Sequence, residues 1–314
     1  MDTNRRSDLE SPSTRRHLPR DGRLAFTLTE LLVVLATLGI LAVLLLPALA
    51  SSTQPGSAKS FQCVNNMRQL GLAWLLYSND NHDRLVSNSD DSVVPGANKQ
   101  FNWICPFGVT LDWSASQKNT NTLYLTVNSP VLGVALIGNY VANSVNIFVC
   151  PADKYLSAPQ RVFAAAGWSS RMRSCSMNGA MGDGSKWFAP GNGGNWPAFY
   201  NAKKLTDLHN PGPANCWVIM DEHPDSDDDA TFYINPADAA SGTSDYKFTE
   251  LPGSMHNKGS GMVYADGHSE VHVWNGSVDT PPVVYQTYVQ NVSVIGDTSA
   301  LNDLAWLAQH TPQN

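Results

Sequence analysis

The sequence predicts an α+β protein in which a long N-terminal (transmembrane) helix precedes an elaborated antiparallel β-sheet domain. Three observations carry that expectation. Leu31 to Leu49 is an aliphatic run interrupted only by Thr37, Gly39 and Pro47. Cys63, Met67, Leu70, Trp74 and Tyr77 recur at the spacing of one face of an amphipathic helix. From about residue 84 onward Gly, Pro, Asn and Ser become frequent and apolar residues come in short β-prone runs.

Composition narrows the class before any element is placed. The chain has 314 residues, 42% hydrophobic, 15% charged and 9% aromatic, which excludes a disordered protein, a coiled coil and a polytopic membrane protein. Charge is unevenly spread: the first 25 residues hold six arginines against four acids, whereas residues 51–314 hold 14 basic side chains against 22 acidic ones. That part would repel a phosphate backbone, so nucleic acid is not an expected partner.

The apolar run, at 1.5 Å per residue, forms a helix of about 28 Å, the thickness of a bilayer core. Arginines on its N-terminal side place the preceding residues in the cytoplasm and the large domain outside it. An ordinary secretory signal would instead be cut after Ala48-Leu49-Ala50, before Ser51, but its apolar region is shorter and lacks a charge such as Glu30. A twin-arginine signal built on Arg15-Arg16 fits poorly with Pro19 and the long run.

The stretch Ala25-Phe26-Thr27-Leu28-Thr29-Glu30-Leu31-Leu32-Val33-Val34 resembles the signal of type IV pilins and type II secretion pseudopilins. That resemblance implies cleavage between Ala25 and Phe26 by a prepilin peptidase, N-methylation of Phe26, and a processing and assembly role for Glu30 as the fifth mature residue. Ala25 departs from the glycine usual in the family. A carboxylate in a membrane costs about 2.5–3.5 kcal/mol and needs a partner; the new amine at Phe26, cationic near neutral pH, could neutralise it in its own or a neighbouring chain. Gly39 and Pro47 fall where the family has its helix-weakening residues. Pro55-Gly56 is expected to interrupt the helix, which then resumes to about Ser78.

Past that helix, the β-prone runs are Thr122 to Val127, Val131 to Ile137, Asn146 to Cys150, Cys216 to Met220, Met262 to Ala265 and Val271 to Trp274. His256, nine residues and then Asp266-Gly267 resemble the H-X9-DG signature of the large, pseudopilin-like branch of the family. Asp266-Gly267 between two alternating runs reads as a type I′ hairpin turn, and His256 as a cross-link by hydrogen bonding to Asp266.

Asp221-Glu222-His223-Pro224-Asp225-Ser226-Asp227-Asp228-Asp229 is the densest acidic stretch. Asp225, Asp227 and Asp229 alternate as in the first half of a calcium loop, although Ala230 replaces the required Gly, so Ca²⁺ or plain solvation is expected there. Calcium is also found in some major pseudopilins. Asp221, Glu222 and His223 could instead hold a transition metal. Cys63, Cys105, Cys150, Cys175 and Cys216 suggest two disulfides and one free thiol in an exported chain.

The resulting organisation is a cytoplasmic leader (1–25), a transmembrane and filament-core helix (26–50), a helical stem (51–80) and an exported pilin-like antiparallel β-sheet domain (81–314). The resemblance implies a non-enzymatic subunit of a secretion or pilus-like filament. Its partners would be prepilin peptidase, other pilin or pseudopilin subunits and the inner membrane. The chain would span that membrane once, with its domain in the periplasm or at the cell surface. The alternatives are a membrane-anchored metal-dependent hydrolase using Asp221, Glu222 and His223, and an exported carbohydrate-binding module.

Overall fold

Thr27 and Glu30 open the first helix, α1 (28–38), by capping each other. The Thr27 amide donates to Glu30 Oε2 at 2.8 Å and the Glu30 amide to Thr27 Oγ1 at 3.2 Å, so two amides that lack a partner within the helix are satisfied reciprocally. The computed structural model describes residues 27–38, 55–88, 101–104, 110–129, 133–182, 201–234 and 246–313. These belong to two units, Met1–Ser51 and Ser52–Asn314. Ala25, Phe26, Gly39, Pro47 and Cys105 lie outside the described residues.

In the second unit the elements are α2 (Pro55–Asp80), β1 (Phe101–Asn102), α3 (Leu123–Thr126), β2 (Asn128–Ser129), β3 (Gly133–Ala135) and β4 (Cys175–Asn178). They continue with β5 (Trp217–Asp221), β6 (Thr231–Phe232), β7 (Lys247–Phe248), β8 (Gly259–Tyr264), β9 (Ser269–Val273), β10 (Val292–Ser293) and α4 (Thr298–Gln309). Pro55-Gly56, expected to break a helix, opens α2 instead; a first-turn proline gives up an N–H that has no helical partner there anyway. The stripe inferred from the sequence holds: Cys63, Met67, Leu70 and Trp74 are at most 2% exposed. Burying each such side chain contributes about 1.5–3 kcal/mol.

The main sheet runs β6-β4-β5-β8-β9. Helix α2 lies on β8 and β9, close enough that a Cβ on Gly71 would come within 2.4 Å of Val263 Cγ2. Ser269 Oγ fastens the contact by donating to Val64 O at 3.0 Å. The opposite face is covered by α4, whose Ala300, Leu304 and Leu307 join Trp217, Met220, Met262, Tyr264 and Trp274 in a second core. Strands β4, β5 and β8 are therefore buried throughout, which is why β5 reads as continuously apolar up to Asp221.

The expected architecture, a long N-terminal transmembrane helix ahead of an antiparallel pilin-like sheet, is corrected by this structure. Among the described residues no helix is long and apolar enough to cross a membrane. The 26-residue α2 interleaves Gln62, Asn65, Asn66, Arg68 and Gln69 with its apolar stripe, and that stripe is spent on the sheet. Helices and sheets are mixed, and the sheets are not uniformly antiparallel: β4 pairs with β6 in parallel, as does β1 with β3. The chain reaches β6 from β5 through the acidic segment, and that connection delivers it to the far edge of the sheet in the same direction as β4.

Strands are found at Cys216 to Met220, Met262 to Ala265 and Val271 to Trp274, within a residue or two at the ends and with β8 starting earlier, at Gly259. Two expected strands are short helices. Residues Leu123–Thr126 coil because Asn121 Oδ1 accepts the Leu123 amide at 3.2 Å, and Val145–Phe148 form a 3₁₀ turn after Ala142 and Asn143, both at positive φ. The β8–β9 turn also differs from expectation. Gly267 has φ +89° but Asp266 is not left-handed, and the Gly267 amide donates to Tyr264 O at 2.9 Å. This is a three-residue loop, a type I turn closed by a left-handed glycine, rather than type I′.

Candidate functional site

Asp221 ends β5, with Glu222 and His223 just beyond it; alternation sends Asp221 and Glu222 to opposite sides, and His223 opens a turn in which its carbonyl accepts the Ser226 and Asp227 amides. Asp221 turns toward α2, where its Oδ2 accepts from Cys63 Sγ at 2.9 Å and from the Gly261 amide at 3.0 Å. Glu222 Oε2 accepts from Ser176 Oγ at 2.5 Å. His223 Nε2 meets Pro281 O at 2.9 Å. All three are buried, and they do not share one centre.

The acidic segment is buried too, not solvated. Asp225 accepts amides from Val284 at 2.7 Å and Gln286 at 3.0 Å; Asp229 accepts the Thr231 amide at 2.9 Å. Asp227 is ion-paired with Arg173 and lies 3.8 Å from Arg171 Nη2. Asp225, Asp227 and Asp229 are thus committed to separate partners, and as a trio they do not fit the oxygen cage that Ca²⁺ requires. Burial is possible because two arginines are buried with them. Arg171 stacks over Trp113 at 4.3 Å and donates to Pro224 O at 2.6 Å, while Arg173 donates to Asp228 O at 2.6 Å. Glu222, Asp228 and Glu250 bring carboxylate oxygens within 4.8 Å of one another. Burial pushes Glu222 and Glu250 well above the usual carboxylate range, and the neighbouring carboxylates push them the same way.

The H-X9-DG residues separate in space. Asp266 pairs with His268 Nδ1 at 2.6 Å on the surface and Gly267 supplies the turn, whereas His256 points inward. Its Nδ1 lies 3.1 Å from Ser60 Oγ, and its Nε2 lies 3.0 Å from Cys150 Sγ and 3.9 Å from Asp221 Oδ2. The expected His256–Asp266 link is replaced by this one.

Four elements therefore meet at a second convergent group. Cys63 comes from α2, Cys150 from the end of the 3₁₀ turn, Asp221 from β5 and His256 from the loop before β8. One donor atom from each lies within 4.8 Å of all the others, and the residues are 0–8% exposed. The Cys63 thiol is pushed up by its hydrogen bond with Cys150 and by burial, and Cys150 is pushed up by burial. Burial raises Asp221 to about 7 and lowers His256, with Lys59 adding to the latter effect. Such a set can hold a metal ion once its protons leave; being closed to solvent, it offers no thiol to an external substrate.

The expected disulfides are not formed among the described residues: Cys63, Cys150, Cys175 and Cys216 are free and buried. From the sequence, Cys63 belongs to the core stripe, and Cys150-Pro151 resembles Cys105-Pro106 in a chain with no CxxC, a pattern that argues against structural zinc. The available signal was an unpaired set of Cys, Asp and His, each arriving alone from a different segment; no short motif marks it. Comparison with protein-family models, curated proteins and solved structures gives no match to this chain.

Proposed function

We propose that this chain is a non-enzymatic subunit of the prepilin-processed type, cut between Ala25 and Phe26, methylated at Phe26, and assembled with like subunits into a secretion or pilus-like filament. The second unit is the part such a filament would display. The supporting observation is the start of α1. Glu30 folds back onto the Thr27 amide, one residue from the amine that cleavage would create at Phe26. Beyond it Leu28, Leu31, Leu32, Val33, Val34, Leu35 and Leu38 are exposed, an apolar surface suited to packing against other helices of its kind. A hydrolase built on Asp221, Glu222 and His223 is disfavoured by their divergence. The test is the intact mass and N-terminal sequence of the protein from its native membrane. N-methylated Phe26 is the expected start; a chain beginning at Ser51 would refute prepilin processing.

A further inference from the structure

We propose that Cys63, Cys150, Asp221 and His256 form a tetrahedral structural zinc site that rivets helix α2 to the main sheet. In tetrahedral zinc sites metal–ligand bonds of about 2.0–2.3 Å put the ligand atoms roughly 3.3–3.8 Å from one another. Here the separations are 2.9 Å for Cys63 Sγ to Asp221 Oδ2, 3.0 Å for Cys150 Sγ to His256 Nε2, and 3.9 Å for His256 Nε2 to Asp221 Oδ2. Two of these are about half an ångström shorter than tetrahedral spacing and the third about as much longer, and every pair of donor atoms lies within 4.8 Å, so side-chain shifts of about half an ångström would receive the ion. Two thiolates, one imidazole and one carboxylate suit zinc; calcium and magnesium demand oxygen ligands, and copper(I) prefers soft donors throughout.

Observations outside the four donors point the same way. Asp221 is wholly buried and its second oxygen, Oδ1, has no hydrogen-bond partner. A buried carboxylate oxygen left so costs free energy unless a cation or proton sits beside the group. The outer shell is in place. Ser60 Oγ contacts His256 Nδ1 and so turns Nε2 into the cluster, and the Gly261 amide holds Asp221. Gly261 leaves the space: a Cβ there would lie 2.3 Å from Cys63 Sγ. Loading releases the two thiol protons, and any proton on Asp221, to water. With four protein ligands and no open position, the ion would serve stability, not catalysis.

The test is metal analysis of the purified full-length chain, followed by cobalt substitution. The expected result is about one zinc per chain and, with cobalt, the intense visible bands and thiolate charge-transfer absorption of a tetrahedral cysteine-ligated ion. Cys150→Ser should lose the charge-transfer intensity in part and bind zinc at least tenfold more weakly, whereas Cys216→Ser should keep full loading. Should Cys150→Ser fail to fold, chelator competition on the unmodified chain decides: removal of zinc must lower the melting temperature and re-addition restore it. A metal-free chain whose stability is indifferent to zinc overturns the proposal. So does a native Cys63–Cys150 disulfide, or octahedral cobalt without sulfur absorption.

Discussion

Replacing Gly261 with alanine tests the close approach of α2 to β8 directly. The added Cβ would sit 2.3 Å from Cys63 Sγ, 2.9 Å from Asp221 Oδ2 and 3.3 Å from Met67 Cγ. None of these neighbours is the loose end of a flexible chain: Cys63 and Met67 are short or buried on a packed helix, and Asp221 is held by the Gly261 amide itself. Gly261 is not at positive φ, so the penalty is one of space and not of backbone strain. Overpacking of this kind costs about 1–3 kcal/mol. Reduced freedom of the unfolded chain returns about 0.4–1 kcal/mol. The expected net loss is about 1–2 kcal/mol, read as a lower urea midpoint at unchanged slope. Gly212→Ala is the control, because nothing lies within 4 Å of a Cβ built there. A Gly261→Ala chain as stable as that control would refute the claim that this glycine sets the helix–sheet distance.

Arg173→Met removes the closest partner of the buried Asp227 and should cost about 3–5 kcal/mol in urea unfolding, with much of the loss recovered by adding Asp227→Asn. A single variant within about 1 kcal/mol of the parent would mean that the acidic segment is not held by this pair. Asp279 is raised to about 7 by burial and by Asp303 beside it. The folded chain therefore holds a proton that the unfolded chain gives up near pH 4. This contribution to stability is fully present below about pH 4 and is lost as pH rises through about 7. Asp279→Asn should accordingly gain in melting temperature relative to the parent at pH 8 compared with pH 5; parallel curves would exclude Asp279 as the titrating group.

Much of the second unit was legible because its signals are local. The helical stripe from Cys63 to Trp74 and the runs ending β5, β8 and β9 depend on periodicity within a few residues, and they appear where expected. The two runs that became short helices, around Leu123 and Val145, failed because side-chain and turn hydrogen bonds of Asn121, Ser144 and Asn146 outweighed β propensity. The turn type at Asp266-Gly267 was missed for a related reason. Asp-Gly supports both hairpin turns, and the three-residue form follows from the register Val263↔Ser269 across the strands.

What the sequence determined by itself is therefore the content of elements: an amphipathic helix, buried strands and a hairpin. Only the tertiary structure decided which of its polar side chains meet. Cys63 reaches Asp221 across 158 residues and Cys150 reaches His256 across 106, through a sheet order and a parallel β4–β6 pair that no local pattern specifies. The same holds for the acidic segment, whose composition predicts solvation. It is buried because Arg171 and Arg173, from a distant stretch, pair with Asp227 inside it. Periodicity is a property of neighbouring residues, whereas charge compensation and ligand convergence depend on distances in space.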